Sequence, residues 1–316
     1  FKDGQPFRIF PLEMKAGRGM NPLLHHWAMI LHPPILFIGY VSFAIPFAVA
    51  MSALVSGTFN NNWLPLIRRW ALFSWFFLGV GILLGSMWAY EELGWGGYWA
   101  WDPVENAVYV PWLILIAAIH TMITYKNSET ALKASVILVI SVFVLILYST
   151  FLTRSGVLGD ASVHSFTDLG LSGQLLIYLL FFMFVAIGLA IYRWKEIPSS
   201  EKEASVYSRE FWIFIGAITL CLMGFQVLMP TSIPVWNKII SLFGGTSNLA
   251  PPAEQITFYS NFQLWFAVAV GLLSGIGQFF WWKKIDKEEL RKELTAPALI
   301  ALLLFALVIT LGKVYT

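Results

Sequence analysis

Cysteine is almost missing from this chain: Cys221 alone occurs in 316 residues. That excludes an internal disulfide framework and a Cys-x-x-Cys redox relay within the chain. Placed in an apolar run, Cys221 reads as a small buried apolar side chain. Charge is scarce as well, with 12% charged residues against 58% hydrophobic ones, too few to cover a soluble protein of this length. The loops carry no phosphate-cradling glycines or Walker sequence, so the chain is not itself an ATPase, and no nucleic-acid partner is expected. No signal-peptide pattern is visible. The chain opens on Phe1 and a polar stretch with Lys2, Arg8, Lys15 and Arg18. This predicts a chain that begins outside the membrane, as a fragment, a split subunit or a partial chain.

What the sequence has in quantity is long apolar runs. They lie at roughly 34–56, 70–89, 107–125, 132–151, 173–192, 210–229, 262–282 and 297–315. Each is close to the ~20 residues that cross about 30 Å of hydrocarbon. Continuous apolar character without alternation excludes barrel strands, and backbone groups in lipid must be satisfied within the segment, so the runs are predicted to be helices.

The basic residues sort by side. One set of loops holds Arg68, Arg69, Lys126, Lys133, Arg193, Lys195, Lys202, Arg209, Lys283, Lys284, Lys287, Arg291 and Lys292. The other holds Arg154 and Lys238 among the acids Glu91, Glu92, Asp102, Glu105, Asp160, Asp168 and Glu254. The positive-inside rule then places the second set outside the cytoplasm.

In that outer set lies Trp95-Gly96-Gly97-Tyr98-Trp99-Ala100-Trp101-Asp102-Pro103-Val104-Glu105-Asn106. Crowded indoles at a membrane edge serve either as interfacial anchors or as a platform for a flat ligand. Histidine placement favours the platform. His32, before Pro33 and Pro34, and His164, in an outer loop, fall at the same face as the tryptophans. His120 lies about 14 residues beyond Asn106, roughly 20 Å into the membrane at 1.5 Å per residue. An ionisable residue at that depth is a functional candidate.

Two imidazoles can hold a six-coordinate haem iron, so a porphyrin against Trp95, Trp99 and Trp101 with His32 and His164 as axial ligands accounts for these residues together. A zinc site lacks further ligands. Arg154, at the outer end of the fourth span, could pair a haem propionate or snorkel to the interface. Asp102 and Glu105 favour the start of a helix, where acids cap. His25 and His26 read as outer-surface polar residues with nothing to pair them.

These residues resemble a known family. The tryptophan segment is similar to the WWD motif of haem-handling proteins in cytochrome c maturation, and its continuation Trp101 to Ala107 resembles the CcmF/NrfE haem lyase branch rather than the CcsA or CcmC branches. Supporting stretches are Asn21 to Leu24, His32 to Tyr40, Thr153 to Leu158, and Ser162-Val163-His164. The resemblance is specific from about 17 to 170 and is mainly one of hydropathy beyond.

By that resemblance His32 and His164 ligate the haem being delivered, with Trp95, Trp99, Trp101, Asp102 and Arg154 around it. His120 matches one of two membrane histidines that hold a second, buried b-type haem. The other ligand of that haem lies farther downstream in the family, and no histidine follows His164 here. A second polypeptide or further chain would then supply it. The implied partners are an apocytochrome c, a haem chaperone of the CcmE type, CcmH-type subunits and membrane lipids. The implied location is a bacterial inner membrane or its organellar equivalent, with the tryptophan segment facing the periplasm. The implied role is haem attachment to a Cys-x-x-Cys-His site, with no residue required as acid or base; the alternative is a delivery protein that passes haem without forming thioether bonds.

The expected fold is all-α and polytopic, with about eight transmembrane helices and an extracytoplasmic tryptophan segment. Residues 1–33 form an extracytoplasmic N-terminal segment. Residues 34–192 form the haem-handling core, with the tryptophan segment at 90–106, and residues 193–316 form the remaining helices.

Overall fold

The computed structural model describes residues 20, 22–59, 63–93, 97–125, 130–159, 161–162, 170–199, 204–282 and 284–312. Among them there is no strand, and eight helices are long and apolar enough to cross a membrane. The chain is an integral membrane protein.

The first span is two helices in line, α1 (Trp27–Ser42) and α2 (Ala44–Ser56), interrupted at the fully buried Phe43. It starts seven residues before the apolar run that begins at 34, because His26 caps it by accepting from the Ala28 N–H at 3.2 Å and the five residues from Trp27 to Leu31 are themselves apolar. Pro33 and Pro34 therefore lie inside the helix rather than at its first turn. Carrying no N–H, they leave the carbonyls of Met29 and Ile30 without their usual helical donors. At the α1/α2 break, Ser42 donates to the Gly39 carbonyl at 3.0 Å and pairs with Ser74 Oγ at 2.6 Å, which fastens the interruption to the next helix.

That helix, α3 (Trp63–Glu92), runs back toward the tryptophan segment. Next come α4 (Pro103–Thr124), α5 (Thr130–Arg154), α6 (Ser172–Tyr192) and α7 (Arg209–Thr231). A short amphipathic helix, α8 (Ile233–Leu242), separates α7 from α9 (Gln255–Gly277), and α10 (Lys287–Gly312) is the last.

The bundle is organised around α4, whose apolar window is 67% buried against α3, α5 and α7. Its core side chains, Val110, Ile114, Leu115, Ala118 and Met122, meet Leu78 of α3 and Val136, Val139 and Phe143 of α5. Lipid offers no hydrophobic drive between helices, so close approach and internal hydrogen bonds decide which faces meet. Gly39, Gly81 and Gly85 let α1 lie close along α3: a Cβ at Gly39 would stand 2.7 Å from Leu78, and one at Gly81 would stand 3.0 Å from Leu36. In α7 and α9, Gln263 donates to the Met223 carbonyl (3.1 Å) and to Gln226 (2.7 Å), the polar version of the same solution. By contrast, α10 has no buried residue.

Candidate functional site

The site begins with the way the chain enters α4. Trp101 has φ +58°, the only positive φ at a non-glycine position among the described residues. Such a conformation costs about 1–3 kcal/mol for a bulky side chain and persists where its surroundings fix it. Here they do. Glu105 Oε2 accepts from the N–H groups on both sides of Trp101, Ala100 at 3.0 Å and Asp102 at 3.1 Å. Asn106, with no exposed surface, donates to the Trp101 carbonyl at 3.0 Å and to Thr231 of α7 at 3.1 Å. Asp102 caps α4, its Oδ2 accepting from Val104 N–H at 3.0 Å and from Ser162 at 2.6 Å. Pro103 at the first position completes the start of the helix.

This clamp fixes the indole of Trp101. Its ring stacks on Tyr259 of α9 (5.3 Å, 25°), and its N–H donates to Ser260 at 3.2 Å. Trp99 stands edge-on to it at 6.0 Å, and Tyr109 meets both rings edge-on at 5.8 Å. Tyr109 continues the aromatic surface inward to Trp112, which stacks with Trp75 of α3 at 6.0 Å. Trp99 and Trp101 are half-buried and held by protein, which suits a wall better than a lipid anchor. Among the described residues, the exposed aromatic surface here is instead the stacked pair Tyr90 and Tyr98, at 4.1 Å and 7°.

The histidines divide by tautomer. His32 Nδ1 lies 2.7 Å from the Gly81 carbonyl. A carbonyl only accepts, so Nδ1 donates, and Nε2 is the nitrogen on the far side of the ring from Gly81. Gly85 makes room for the ring: a Cβ there would stand 2.7 Å from His32 Cε1 and 2.9 Å from Nδ1. His120 is arranged alike, Nδ1 donating to the Ile116 carbonyl at 2.8 Å, but on the outward, exposed side of α4. This is the pattern of metal-bound imidazoles, whose second nitrogen donates to a carbonyl or carboxylate and fixes the ring. His26 differs, since its Nδ1 accepts the Ala28 N–H and its Nε2 lies 2.7 Å from Glu91. Both nitrogens are used, so His26 is a latch between α1 and the end of α3. The expectation that nothing pairs it was mistaken, because its acid lies 65 residues away.

Other expected site residues are placed as follows. Arg154 ends α5 and is half-buried. Trp95 and His164 lie outside the described residues. Trp99, Trp101 and Asp102 are brought together, His32 is held between α1 and α3, and His120 stands far along α4 from the wall. Glu105 and Asn106 as a clamp, and Gly81 and Gly85 as the seat of His32, were not singled out. The spacing of two glycines four apart was legible, but not what would fill the notch.

Fold and site define an all-helical integral membrane protein that carries a clamped aromatic wall at one end of its bundle and two imidazoles whose Nδ1 is bonded to a backbone carbonyl. Residues 6–158 match the model of the cytochrome C assembly protein family. The chain is 36% identical over 304 residues to the cytochrome c-type biogenesis protein CcmF of Escherichia coli, covering 95% of this chain and 44% of that protein. It is 40% identical over 256 residues to NrfE of Haemophilus influenzae, covering 80% and 40% respectively. A solved structure of the cytochrome c haem lyase CcmF superposes with a TM-score of 0.68 at 31% identity, over 92% of this chain and 42% of that one. The chain belongs to the cytochrome c assembly family, on its CcmF/NrfE branch. It spans less than half the length of the relatives it matches.

Proposed function

We propose that this chain binds haem against the Trp99 and Trp101 wall, on the periplasmic side of a bacterial inner membrane or its organellar counterpart, for covalent attachment to an apocytochrome c. The observation that carries this reading is the clamped pair Trp99 and Trp101, together with an Nδ1 bond from His32 to the Gly81 carbonyl that orients the ring in the manner of a metal-bound imidazole. His164 is the proposed partner ligand on the opposite face of the ring. Trp95 is a proposed part of the wall, and Arg154 the proposed contact for a propionate.

Haem is the substrate here. Its vinyl groups take up the two thiols of a Cys-x-x-Cys-His site. The chain contributes placement: an indole wall that fixes the ring plane, and ligands that fix its rotation and keep water away. The clamp at Trp101 serves this role, because a wall that shifted by an ångström would misalign vinyl and thiol.

His120 has the donor geometry to hold a second, b-type haem, which when bound supplies an electron to keep the delivered iron reduced. Its ring is presented outward, and its second ligand is proposed to come from another polypeptide or further chain. The proposed partners are a haem chaperone of the CcmE type, CcmH-type subunits and the apocytochrome.

The test is reconstitution of the chain with its partner subunits, reduced haem and an apocytochrome carrying Cys-x-x-Cys-His. The expected product is haem bound through thioether links and retained on denaturation. Transfer of haem without linkage would establish a delivery protein instead. Replacing His32 and His164 together by alanine is expected to remove the haem bound at the wall, and unchanged haem content would refute the pairing.

A further inference from the structure

The helix α8 is absorbed by neither the wall nor the two imidazoles. Its start is Ser232, which accepts from Tyr148 at 2.7 Å, and its end is built with care. Gly244 at φ +75° closes it, with Gly244 N–H donating to the Ser241 carbonyl (3.1 Å) and Gly245 N–H to the Ile240 carbonyl (3.0 Å), the paired bonds of a glycine-terminated helix.

Around its axis, Asn237, Lys238 and Ser241 fall within about 100° of arc at 3.6 residues per turn, and Val235, Trp236, Ile239, Ile240, Leu242 and Phe243 take the other side. Val235 packs toward Ala107, Leu152 and Leu158. The chain folds its own return loop over the polar side, with Asn237 donating to the Leu249 carbonyl at 2.9 Å and accepting from Ser247 at 2.6 Å. The apolar side is left bare: Trp236 is 44% exposed, Ile239 39%, Leu242 75% and Phe243 87%.

Further exposed apolar residues precede it in the chain. Ile218, Leu222, Phe225 and Met229 are exposed along one face of α7, and α8 with its own exposed apolar side begins directly beyond Ser232. Two membrane spans bracket the helix, so it lies at the bilayer boundary, at the same end as Trp101.

We propose that α8 is an interfacial helix whose Trp236, Ile239, Leu242 and Phe243 bed into the phospholipid boundary, with Lys238 turned to the headgroups. Bedded there, it fixes the level of the α7 end, where Thr231 holds Asn106 and through it the Trp101 carbonyl. The proposal requires no haem.

The test uses the full chain in nanodiscs of phosphatidylethanolamine and phosphatidylglycerol, in a Cys221→Ala background. Nitroxides are placed singly by Trp236→Cys, Ile239→Cys and Leu242→Cys, and on the other side by Lys238→Cys and Ser241→Cys. Collision with oxygen is compared with collision with a water-soluble nickel chelate. Labels at 236, 239 and 242 are expected to favour oxygen several-fold over those at 238 and 241. Equal ratios on both sides would overturn the proposal, as would labels at 236 and 239 shielded from both reagents, which would mean a protein covers the face. All five positions are at the surface, and Leu242→Cys gives the same readout if the tryptophan variant fails to fold.

Discussion

At the scale of single residues, Trp101 shows how the motif spends its acids. Asp102 and Glu105 read as helix-capping residues from sequence, and they are: both halves of a capping box are present. What pattern could not show is that the Glu105 cap also reaches the N–H of Ala100, because a second acceptor role depends on the positive φ of the residue between. Asn106 was visible as a letter in the motif but not as a buried hub joining the Trp101 carbonyl to α7. Replacing Asn106 by alanine removes a donor from the part-buried Trp101 carbonyl and from Thr231, which keeps its bonds to the Val227 carbonyl and Tyr259, at a cost of about 1 kcal/mol. The expected result is a lower unfolding midpoint in detergent and less haem bound at the wall, whereas equal stability and equal haem would mean the clamp is idle. His26 supplies the opposite case at this scale. His26→Ala loses a cap worth about 1 kcal/mol, and the visible spectrum of bound haem is expected to stay in place, because neither nitrogen is available to iron. Loss of an axial-ligand band on that change would return His26 to the ligand set.

At the scale of helices, hydropathy was enough for the spans, since a run of about 20 apolar residues has few alternatives in lipid. It did not reveal the interruption at Phe43, which leaves the average apolar character unchanged, nor α8, which is too short to register. Contacts between helices were hidden for another reason: membrane helices meet through small residues and single hydrogen bonds, and one sequence does not say which glycine faces which neighbour. The seat of His32 illustrates this. Gly85→Ala would place a Cβ 2.7 Å from the imidazole, so the ring must move and its bond to the Gly81 carbonyl must lengthen. Weaker haem binding at the wall is expected, with a shifted axial-ligand spectrum. Gly188→Ala in α6 is the control, since nothing lies within 4 Å of a Cβ there. Helix propensity makes that change neutral or slightly stabilising, by up to about 1 kcal/mol. Equal effects from the two substitutions would mean that glycine flexibility, and not room for the ring, is what position 85 provides.

Across the whole molecule, the bundle treats its two imidazole positions unequally. His32 is half-buried, seated against Gly81 and Gly85 of α3, while His120 is displayed on the outer surface of the helix that is otherwise the most buried. The sequence located His120 within a span but could not give its direction, because α4 is apolar all round and carries no moment strong enough to mark an inner face. An outward imidazole whose Nδ1 is already committed to a carbonyl has one nitrogen to offer, to something beyond this bundle. Isolated imidazole in lipid carries a cost that a coordinating partner would offset. If that partner is a b-type haem completed by another polypeptide, two preparations should differ. The chain alone should bind haem through the wall, and His120→Ala should leave that content unchanged. The assembly with its partner subunits should carry an additional six-coordinate haem that His120→Ala removes while the wall haem remains. Finding the same haem content with and without the partner, or a second haem indifferent to His120, would dissociate this imidazole from iron and leave its outward display to a contact with another helix.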